Sequence, residues 1–331
     1  MLERFFHSLW YGNNPLAYLF LPLSGLFLVV SLFRRLAYRF GLKKVLFLDK
    51  PVIIVGNITV GGTGKTPLVV WLAEYLRTKG FKPGIISRGY GGKARSWPQQ
   101  VRPDSDPVAV GDEAILLSRR SGCPMAVGPD RYAAGQALLA NSDCDILISD
   151  DGLQHYRLGR DLEIAVVDGK RRLGNELLLP AGPLREGRWR LEQVDMVLVN
   201  EGTAVEDGFM NMQIRRGLLM SLGSDGQRSM TDFAGQTVHA IAGIGNPERF
   251  FTLLRNNGLT IIEHRFNDHH AYQLNDLQFD DGLPVIMTEK DAVKCTRLVG
   301  NGFWYLQVSA QPDAHFVEKF YQFTEDLADG Q

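Results

Sequence analysis

The fold is decided by the stretch Pro51-Val52-Ile53-Ile54-Val55-Gly56-Asn57-Ile58-Thr59-Val60-Gly61-Gly62-Thr63-Gly64-Lys65-Thr66. Its first six residues form a short apolar, β-branched run closed by glycine, which is typical of a buried strand. After the glycine-rich loop, apolar residues recur at helical spacing from Leu68 to Leu76. The order of strand, glycine-rich loop and helix predicts a phosphate-binding loop.

Such a loop binds phosphate because its backbone N–H groups point at the anion and its glycines allow close approach. Lys65 then reaches the outer phosphates of ATP, and the Thr66 hydroxyl is suited to Mg²⁺. The common spacing has glycine where this chain has Thr59, so the match is to the variant Gly61-Gly62-Thr63-Gly64-Lys65-Thr66. A glycine-rich turn with an incidental lysine is the alternative, and the flanking strand and helix argue against it.

Further apolar runs alternate with amphipathic helical segments, and this alternation predicts a parallel sheet covered on both faces. The predicted strands are Pro83–Ser87, Asp145–Asp150, Leu162–Val167, Met196–Val199, Thr237–Ile241 and Val285–Met287. The expected fold is α/β, with a P-loop NTPase-type parallel sheet and a second, smaller α/β/α domain. A polar interval between Gly202 and Asp232 marks the boundary. The predicted divisions are an apolar N-terminal segment at 1–45, a P-loop domain at 46–205, a linker at 206–232 and a smaller C-terminal domain at 233–331.

Bulk composition limits the possible partners. The 331 residues carry 36 basic and 37 acidic side chains, so no overall charge attracts the chain to nucleic acid. Cys123, Cys144 and Cys295 lie far apart without a CxxC pair, which fits neither a disulfide framework nor a zinc site. A reducing compartment is therefore expected.

The N-terminus is the strongest compositional asymmetry. No charged residue occurs between Arg4 and Arg34, and Leu16 to Phe33 is almost wholly apolar. The basic cluster of Arg34, Arg35, Arg39, Lys43 and Lys44 follows this run, so a retained membrane-associated helix is expected in place of a cleaved signal peptide. The run is short for a spanning helix, which leaves open whether it spans the bilayer or lies in one leaflet. A buried core helix is the remaining alternative. In either membrane arrangement the trailing cations predict that the rest of the chain is cytoplasmic.

Pairs of carboxylates lie at the ends of two predicted elements. Asp150-Asp151 ends a strand, where a loop of this type needs a metal-anchoring carboxylate, although a turn before Gly152 would also use aspartate. Asp112-Glu113 begins an apolar-periodic helix, so a carboxylate there could act as a general base or serve only as a helix cap.

Histidines and arginines supply further candidates. Phe266-Asn267-Asp268-His269-His270 joins two histidines to an aspartate and could tune a general base, although a surface pair of histidines is the simpler interpretation. The arginines Arg88, Arg131 and Arg185 lie in predicted loops where a phosphorylated acceptor could be bound, or where the loops are only solvated turns.

Together these motifs resemble one family, the tetraacyldisaccharide 4'-kinases of Gram-negative bacteria. The resemblance runs from the apolar N-terminus to Thr288-Glu289-Lys290-Asp291-Ala292-Val293-Lys294. The matching motifs are the glycine loop, Ser87-Arg88-Gly89-Tyr90-Gly91-Gly92, Gly111-Asp112-Glu113, Asp150-Asp151-Gly152-Leu153-Gln154-His155, Pro180-Ala181-Gly182-Pro183-Leu184-Arg185-Glu186 and Asp268-His269-His270. Ala114 departs from the proline that often follows the family's Asp-Glu pair, at a position outside the expected chemistry.

The resemblance implies transfer of the ATP γ-phosphate to the 4'-hydroxyl of a tetraacyldisaccharide 1-phosphate at the cytoplasmic face of the inner membrane. No protein partner is implied. Asp112 is then the base with His269 as its partner and His270 as the competing candidate, and Lys65 acts on the phosphates. The implied metal and phosphate residues are Lys65, Thr66, Asp150, Asp151 and Glu186, and the implied acceptor contacts are Arg88, Arg131, His155 and Arg185.

Two other classes share parts of this pattern. A membrane-associated P-loop ATPase switch would use the same loop and anchor but would need no acceptor site. A soluble small-molecule kinase or ligase would bury Leu16 to Phe33 in its core.

Overall fold

The β-strands of the described chain form one mixed, mostly parallel sheet. The computed structural model describes residues 2–12, 14–202, 208–296 and 298–329. The strands are β1 (Val52–Gly56), β2 (Pro83–Ser87), β3 (Gln99–Val101), β4 (Met125–Val127), β5 (Ile146–Asp150), β6 (Leu162–Asp168), β7 (Met196–Asn200), β8 (Met210–Ser221), β9 (Gln227–Arg228), β10 (Thr237–Ala242), β11 (Thr260–Arg265), β12 (Val285–Thr288) and β13 (Phe303–Pro312). The helices are α1 (Leu2–Tyr11), α2 (Leu21–Arg39), α3 (Lys65–Thr78), α4 (Pro107–Val110), α5 (Asp112–Ser121), α6 (Arg131–Leu139), α7 (Pro247–Asn256), α8 (Glu289–Cys295) and α9 (Ala314–Asp329). Short 3₁₀ helices cover Pro15–Phe20, Arg188–Gln193, Met230–Phe233 and Leu274–Leu277.

The strand order is β11-β10-β12-β13-β8-β7-β6-β1-β5-β2-β4-β3, with β9 beside β8. Strand β1 lies between β5 and β6 and is parallel to both. Its residues are buried on both faces, as are those of β5, which explains why these strands are apolar throughout. The phosphate-binding loop therefore leaves the sheet at its centre, at the carboxyl ends of parallel strands, where ligands bind in α/β folds.

The sequence predicts the inner strands correctly. All seven apolar runs identified as strands, including Val52–Gly56, are strands in the structure, and α3 follows the glycine loop as expected. The strands that were not predicted include β3, β4, β11 and the long strands β8 and β13. They are short, or half exposed and mixed in polarity, so no continuous apolar run marks them.

The polar interval at 206–232 contains β8, which joins the two halves of the sheet. Strand β8 pairs parallel to β7 through Leu198↔Met210 and antiparallel to β13 through Ala310↔Ile214. Hydrogen bonding thus continues from the first half of the chain into the second. The division at 46–205 and 233–331 stays a prediction, and the interval between these ranges contributes a strand.

The apolar N-terminal segment lies on the surface. The 3₁₀ helix Pro15–Phe20 and α2 together are long and apolar enough to cross a membrane by length and composition. Large side chains along it are exposed, including Leu19 at 74% and Phe33 at 71%. The alternative that Leu16 to Phe33 is a buried core helix is therefore wrong.

The last described helix packs against the phosphate-loop helix. Phe316 and Phe320 of α9 are fully buried, and their rings lie 5.8 and 6.3 Å from the ring of Trp71 on α3. The end of the chain thus completes the core beneath the helix that begins at Lys65.

We expect Phe320→Ala to lower the free energy of unfolding by about 3–5 kcal/mol, because a fully buried aromatic side chain is removed from this core. The measurement is urea denaturation followed by circular dichroism. Glu318→Ala, at an exposed position of the same helix, is the control and should change stability by less than about 0.5 kcal/mol. Equal small effects of both substitutions would contradict the packing of α9 on α3.

Candidate active site

The glycine loop has a backbone that other residues could not adopt without strain. Gly61 and Gly64 have φ of 101° and 95°, in the left-handed region. A Cβ on Gly64 would lie 2.3 Å from Nδ2 of Asn200 at the end of β7. That same Nδ2 donates to the carbonyl of Thr63 at 2.9 Å. The neighbouring strand therefore holds the loop in shape directly before the N-terminus of α3.

Lys65, the first residue of α3, is aimed at two groups. Its Nζ donates to Oδ1 of Asn57 at 3.0 Å and lies 3.3 Å from Oδ1 of Asp151. Arg185 contacts both oxygens of Asp151 at 3.0 and 3.1 Å. Burial alone would raise the pKa of the Asp151 carboxyl, but Lys65 and Arg185 more than offset this and hold it well below its usual range.

A short backbone pairing brings Arg185 to this place. Val60 N–H donates to the Pro183 carbonyl at 2.8 Å, and Arg185 N–H donates to the Ile58 carbonyl at 2.7 Å. The segment after β1 thus pairs with a loop more than a hundred residues further along the chain. Spacing in the sequence carries no sign of this pairing.

The Asp150 carboxyl is buried and incompletely hydrogen-bonded. It is 3% exposed, and its Oδ1 has no hydrogen-bond partner. Burial raises the pKa of Asp150 to about 7, Lys65 lowers it, and Glu113 and Asp151 raise it further. A buried carboxyl with a free oxygen beside two other acids is suited to a divalent cation.

The four predicted metal residues have different surroundings. Thr66 lies next to Lys65 at the start of α3, close to the loop and to the cavity described below. Glu186 is buried, accepts a hydrogen bond from Gln154 at 2.8 Å and another from the Tyr156 hydroxyl. Within the described residues, no three His, Cys, Asp or Glu side chains form a group that could hold a metal ion by themselves. Mg²⁺ commonly takes one or two carboxylates and completes its shell with phosphate and water oxygens, which fits Asp150 and Thr66.

Two of the predicted acceptor residues, Arg131 and His155, contact each other near the backbone of Asp151. Arg131, at the start of α6, is 4% exposed, and its Nη2 donates to the Asp151 carbonyl at 3.3 Å. Its backbone N–H donates to Nε2 of His155 at 3.3 Å. Burial lowers the pKa of Arg131 to about 10, and burial together with the charge of Arg131 lowers the pKa of His155 to about 4. His155 is thus neutral and accepts a hydrogen bond, while Arg88 is exposed nearby.

Asp112 and His269 meet across the two halves of the chain. Nδ1 of His269 lies 3.1 Å from both carboxylate oxygens of Asp112, which is 5% exposed. Gly111 occupies the N-cap of α5, so Asp112 is the first helical residue and its carboxylate is more than a cap. His270 contacts Asp276 instead, at 3.0 Å. The structure therefore brings His269, and not His270, to Asp112.

Asp112 and His269, together called the dyad, lie near charged groups that determine their protonation states. Burial alone would raise the pKa of Asp112, but the hydrogen bond from His269 and the charge of Lys290 hold it below its ordinary value. The hydrogen bond to Asp112 raises the pKa of His269, against burial and Lys290. Asp112 is thus a carboxylate at neutral pH. His269 has φ of 59°, a left-handed conformation that is rare outside glycine and concentrates at functional sites.

Lys290 is a site residue that sequence reasoning missed. Its Nζ donates to Glu113 Oε1 and to Asp268 Oδ1, both at 3.0 Å, and lies 3.4 Å from Nε2 of His269. It thereby joins α5 of the first half to the histidine loop of the second half. The segment Thr288–Lys294 contributed to the family resemblance, but nothing in the sequence indicates which of its charges faces Asp112.

An apolar cavity of about 290 Å³ opens between the loop and the second half of the chain. Gly64, Thr66 and Val70 line one side, and Phe250 and Leu306 line the other. Lys290, which contacts His269, also borders it.

Comparison with known proteins agrees with this geometry. Residues 16–325 match the family model LpxK, described as tetraacyldisaccharide-1-P 4'-kinase. Tetraacyldisaccharide 4'-kinase of Nitrosococcus oceani is 54% identical over 319 residues, 96% of this chain and 94% of that protein, and the protein of the same name from Alkalilimnicola ehrlichii is 53% identical over 292 residues, 88% of each. The crystal structure of LpxK from Aquifex aeolicus in complex with ATP superposes with a TM-score of 0.80 at 29% identity, covering 93% of this chain and 99% of that one.

We expect Asp112→Asn to lower the pKa of His269, because the hydrogen bond that favours the imidazolium loses its negative partner. The measurement is an NMR titration of the His269 ring resonances. Asp276→Asn, which removes the partner of His270, should leave the His269 titration unchanged. An unaltered His269 titration in Asp112→Asn would contradict the contact between the two halves.

Proposed function

The chain belongs to the tetraacyldisaccharide-1-P 4'-kinase family, and we propose that it performs this phosphoryl transfer with Asp112, His269 and Lys65. It is a kinase of lipid A biosynthesis that transfers the ATP γ-phosphate to the 4'-hydroxyl of tetraacyldisaccharide 1-phosphate. The observation that carries the residue assignment is the buried, ionised Asp112 that is held by His269 from the other half of the chain.

The nucleotide is bound by the loop and by the adjoining cavity. The N–H groups at the start of α3 and the Lys65 ammonium stabilise the negative charge of the outer phosphates. Lys65 is held by Asn57 and Asp151 in readiness for this, so little ordering of its side chain is needed on binding. The apolar walls formed by Val70, Phe250 and Leu306 suit the adenine ring of ATP.

The acceptor hydroxyl is activated by Asp112. As the oxygen of the 4'-hydroxyl attacks the γ-phosphorus, its proton passes to the Asp112 carboxylate and the bond from phosphorus to the β,γ-bridging oxygen breaks. His269 holds Asp112 through Nδ1, and Lys290 holds His269 and Glu113 in place. These contacts fix the carboxylate before the acceptor arrives, and such positioning supplies much of the catalysis in phosphoryl transfer.

Mg²⁺ would be held by Asp150 and Thr66, with Asp151 and Glu186 as the further residues that the family resemblance implies. The cation would neutralise charge on the β- and γ-phosphates. Its support in the structure is the unpaired buried oxygen of Asp150. Asp151 and Glu186 already have cationic or hydrogen-bonding partners, so Asp150 is the better-suited ligand.

The acceptor-side residues are Arg88, Arg131, His155 and Arg185. Arg131 and Arg185 both contact Asp151, which puts two guanidinium groups on the side of the loop away from the apolar cavity. Guanidinium groups donate paired hydrogen bonds to phosphate or sugar oxygens. The neutral His155 imidazole beside them adds a group that orients sugar hydroxyls without competing for negative charge.

The exposed apolar segment Pro15–Arg39 supports association with the cytoplasmic face of the inner membrane. An acceptor with acyl chains stays in the bilayer, so the enzyme must act at its surface. Arg34, Arg35 and Arg39 follow the apolar run and favour the side with anionic headgroups. The lipid-linked acceptor and the membrane surface are then the partners of this chain.

We expect Asp112→Ala to lower kcat by about 10²–10⁴ with ATP affinity little changed, because the proton acceptor is lost while the loop is intact. Transfer of radiolabel from ATP to the glycolipid, separated by thin-layer chromatography, measures turnover. His269→Ala should also lower kcat, and His270→Ala serves as the matched control with a much smaller effect. Near-native turnover of Asp112→Ala, or equal losses at the two histidines, would overturn these roles.

We expect Lys290→Met to shift the acidic limb of the kcat/KM profile to higher pH. The ionised Asp112 is the active form, so activity falls as the pH drops through its pKa, and loss of the neighbouring cation raises that pKa. Lys290→Arg keeps the charge and should keep the position of the limb. If both variants lose activity equally without any shift, Lys290 has only a structural role.

A further inference from the structure

A second pocket of about 360 Å³ lies outside the catalytic cleft, beneath the C-terminal end of α2. Arg35, Tyr38 and Arg39 of α2 form one wall, and Val45 and Phe47 form another. Its floor contains Tyr156, Arg160, Glu163 and Arg190. None of the residues assigned above to the phosphates, to the base or to the acceptor lines this pocket.

The pocket is strongly basic. Four arginines line it, and Glu163 is the single acidic side chain among its described lining residues. Oε1 of Glu163 is shared by Arg160 at 2.6 Å and Arg190 at 2.5 Å, and Glu186, behind the lining, also pairs with Arg190, so two carboxylates face four guanidinium groups. The net positive charge of the lining arginines favours an anion in the pocket.

Arg190 is the one buried arginine among the four that line the pocket. Its side chain is 4% exposed, and its Nε has no hydrogen-bond partner. The Glu186 carboxylate lies 3.8 Å from this atom, beyond hydrogen-bonding distance. A buried guanidinium N–H without an acceptor is unfavourable, and an anionic oxygen would satisfy it.

Arg35 is held at the mouth. Its guanidinium lies 4.0 Å from the ring of Trp189 and also donates to the side chain of Gln193. Arg39, one helical turn further on, is exposed. The two cations are thus presented at the end of the helix, one fixed by stacking and one free to follow a ligand.

The rim of the pocket is apolar and faces solvent. Phe47 lines the pocket and is 68% exposed. Phe40 and Leu42, in the segment that leads from α2 to Phe47, are 71% and 77% exposed, and Lys43 and Lys44 follow them in the sequence. We call the segment from Phe40 to Phe47 the rim. Aromatic and aliphatic side chains mixed with lysines are typical of a surface that rests at the headgroup level of a bilayer. The rim continues the exposed apolar face of α2, so the pocket opens where that helix would meet the lipid.

We propose that this pocket binds the phosphate of an anionic phospholipid, with Arg35 and Arg39 as the entry cations and Arg190 beneath them. The proposal rests on the membrane association proposed above, and it adds a specific site to a general attraction. The occupant is a lipid of the surrounding bilayer, because the apolar rim would contact its acyl chains while the arginines contact its phosphodiester.

The test is flotation of the full-length chain with vesicles of phosphatidylcholine alone and of phosphatidylcholine with phosphatidylglycerol at about four to one. The variant R35Q/R39Q removes two charges from the pocket. The matched control K43Q/K44Q removes two charges from the rim, at residues that do not line the pocket itself. R35K/R39K keeps both charges and reports on folding, as does ATP binding by each variant.

We expect the parent chain to bind the anionic vesicles about tenfold more tightly than the neutral ones. R35Q/R39Q should lose this preference, while K43Q/K44Q and R35K/R39K should keep most of it. Equal losses in R35Q/R39Q and K43Q/K44Q would show a diffuse attraction and overturn the pocket. Equal binding of the parent to both vesicles would overturn the pocket alone, whereas binding to neither would also overturn the proposed membrane association.

Discussion

The structure depends on how it compensates five carboxylates that lie close together, two of them buried and three half-buried. Asp112, Glu113, Asp150, Asp151 and Asp268 come together at the carboxyl ends of the central strands. Each buried negative charge is costly unless a cation or hydrogen bond compensates it. Lys65 and Arg185 compensate Asp151, and His269 and Lys290 compensate the acids of α5 and Asp268. Among these five described acids, Asp150 is the one with a buried oxygen that lacks a hydrogen-bond partner, and the site is thereby suited to a ligand that brings positive charge.

The compensating cations come from both halves of the chain. Lys65 comes from the first half. Strands β1 and β5 are parallel and Val55 lies opposite Asp150, so the loop that leads from β1 to Lys65 begins beside Asp150. His269 and Lys290 come from the second half, and an ion pair of 2.8 Å between Arg120 and Glu289 joins α5 to α8 beside them. The halves therefore complete the site only together. Separation of the halves would leave Asp112 without its histidine.

The apolar N-terminus is connected to the same region through one loop. Ser24 of α2 donates to the Leu178 carbonyl at 2.8 Å and accepts from the Ala181 N–H at 3.0 Å, while Trp10 donates to the Pro180 carbonyl at 3.0 Å. This loop continues into Arg185, which contacts Asp151. The segment proposed to meet the membrane thus packs against the loop that carries Arg185, a proposed acceptor contact, and both belong to one hydrogen-bonded unit.

The sequence by itself determined the inner strands, the phosphate loop, the helix from Lys65 and the carboxylates at Asp112 and Asp150. Each of these is a local property, because a buried strand is apolar throughout and a loop that binds phosphate needs glycine beside its lysine. Only the tertiary structure decided that His269 and not His270 meets Asp112, that Lys290 joins them, and that β8 continues the sheet through a polar interval. These features rest on contacts between residues far apart in the chain, and the spacing of residue types carries no record of them.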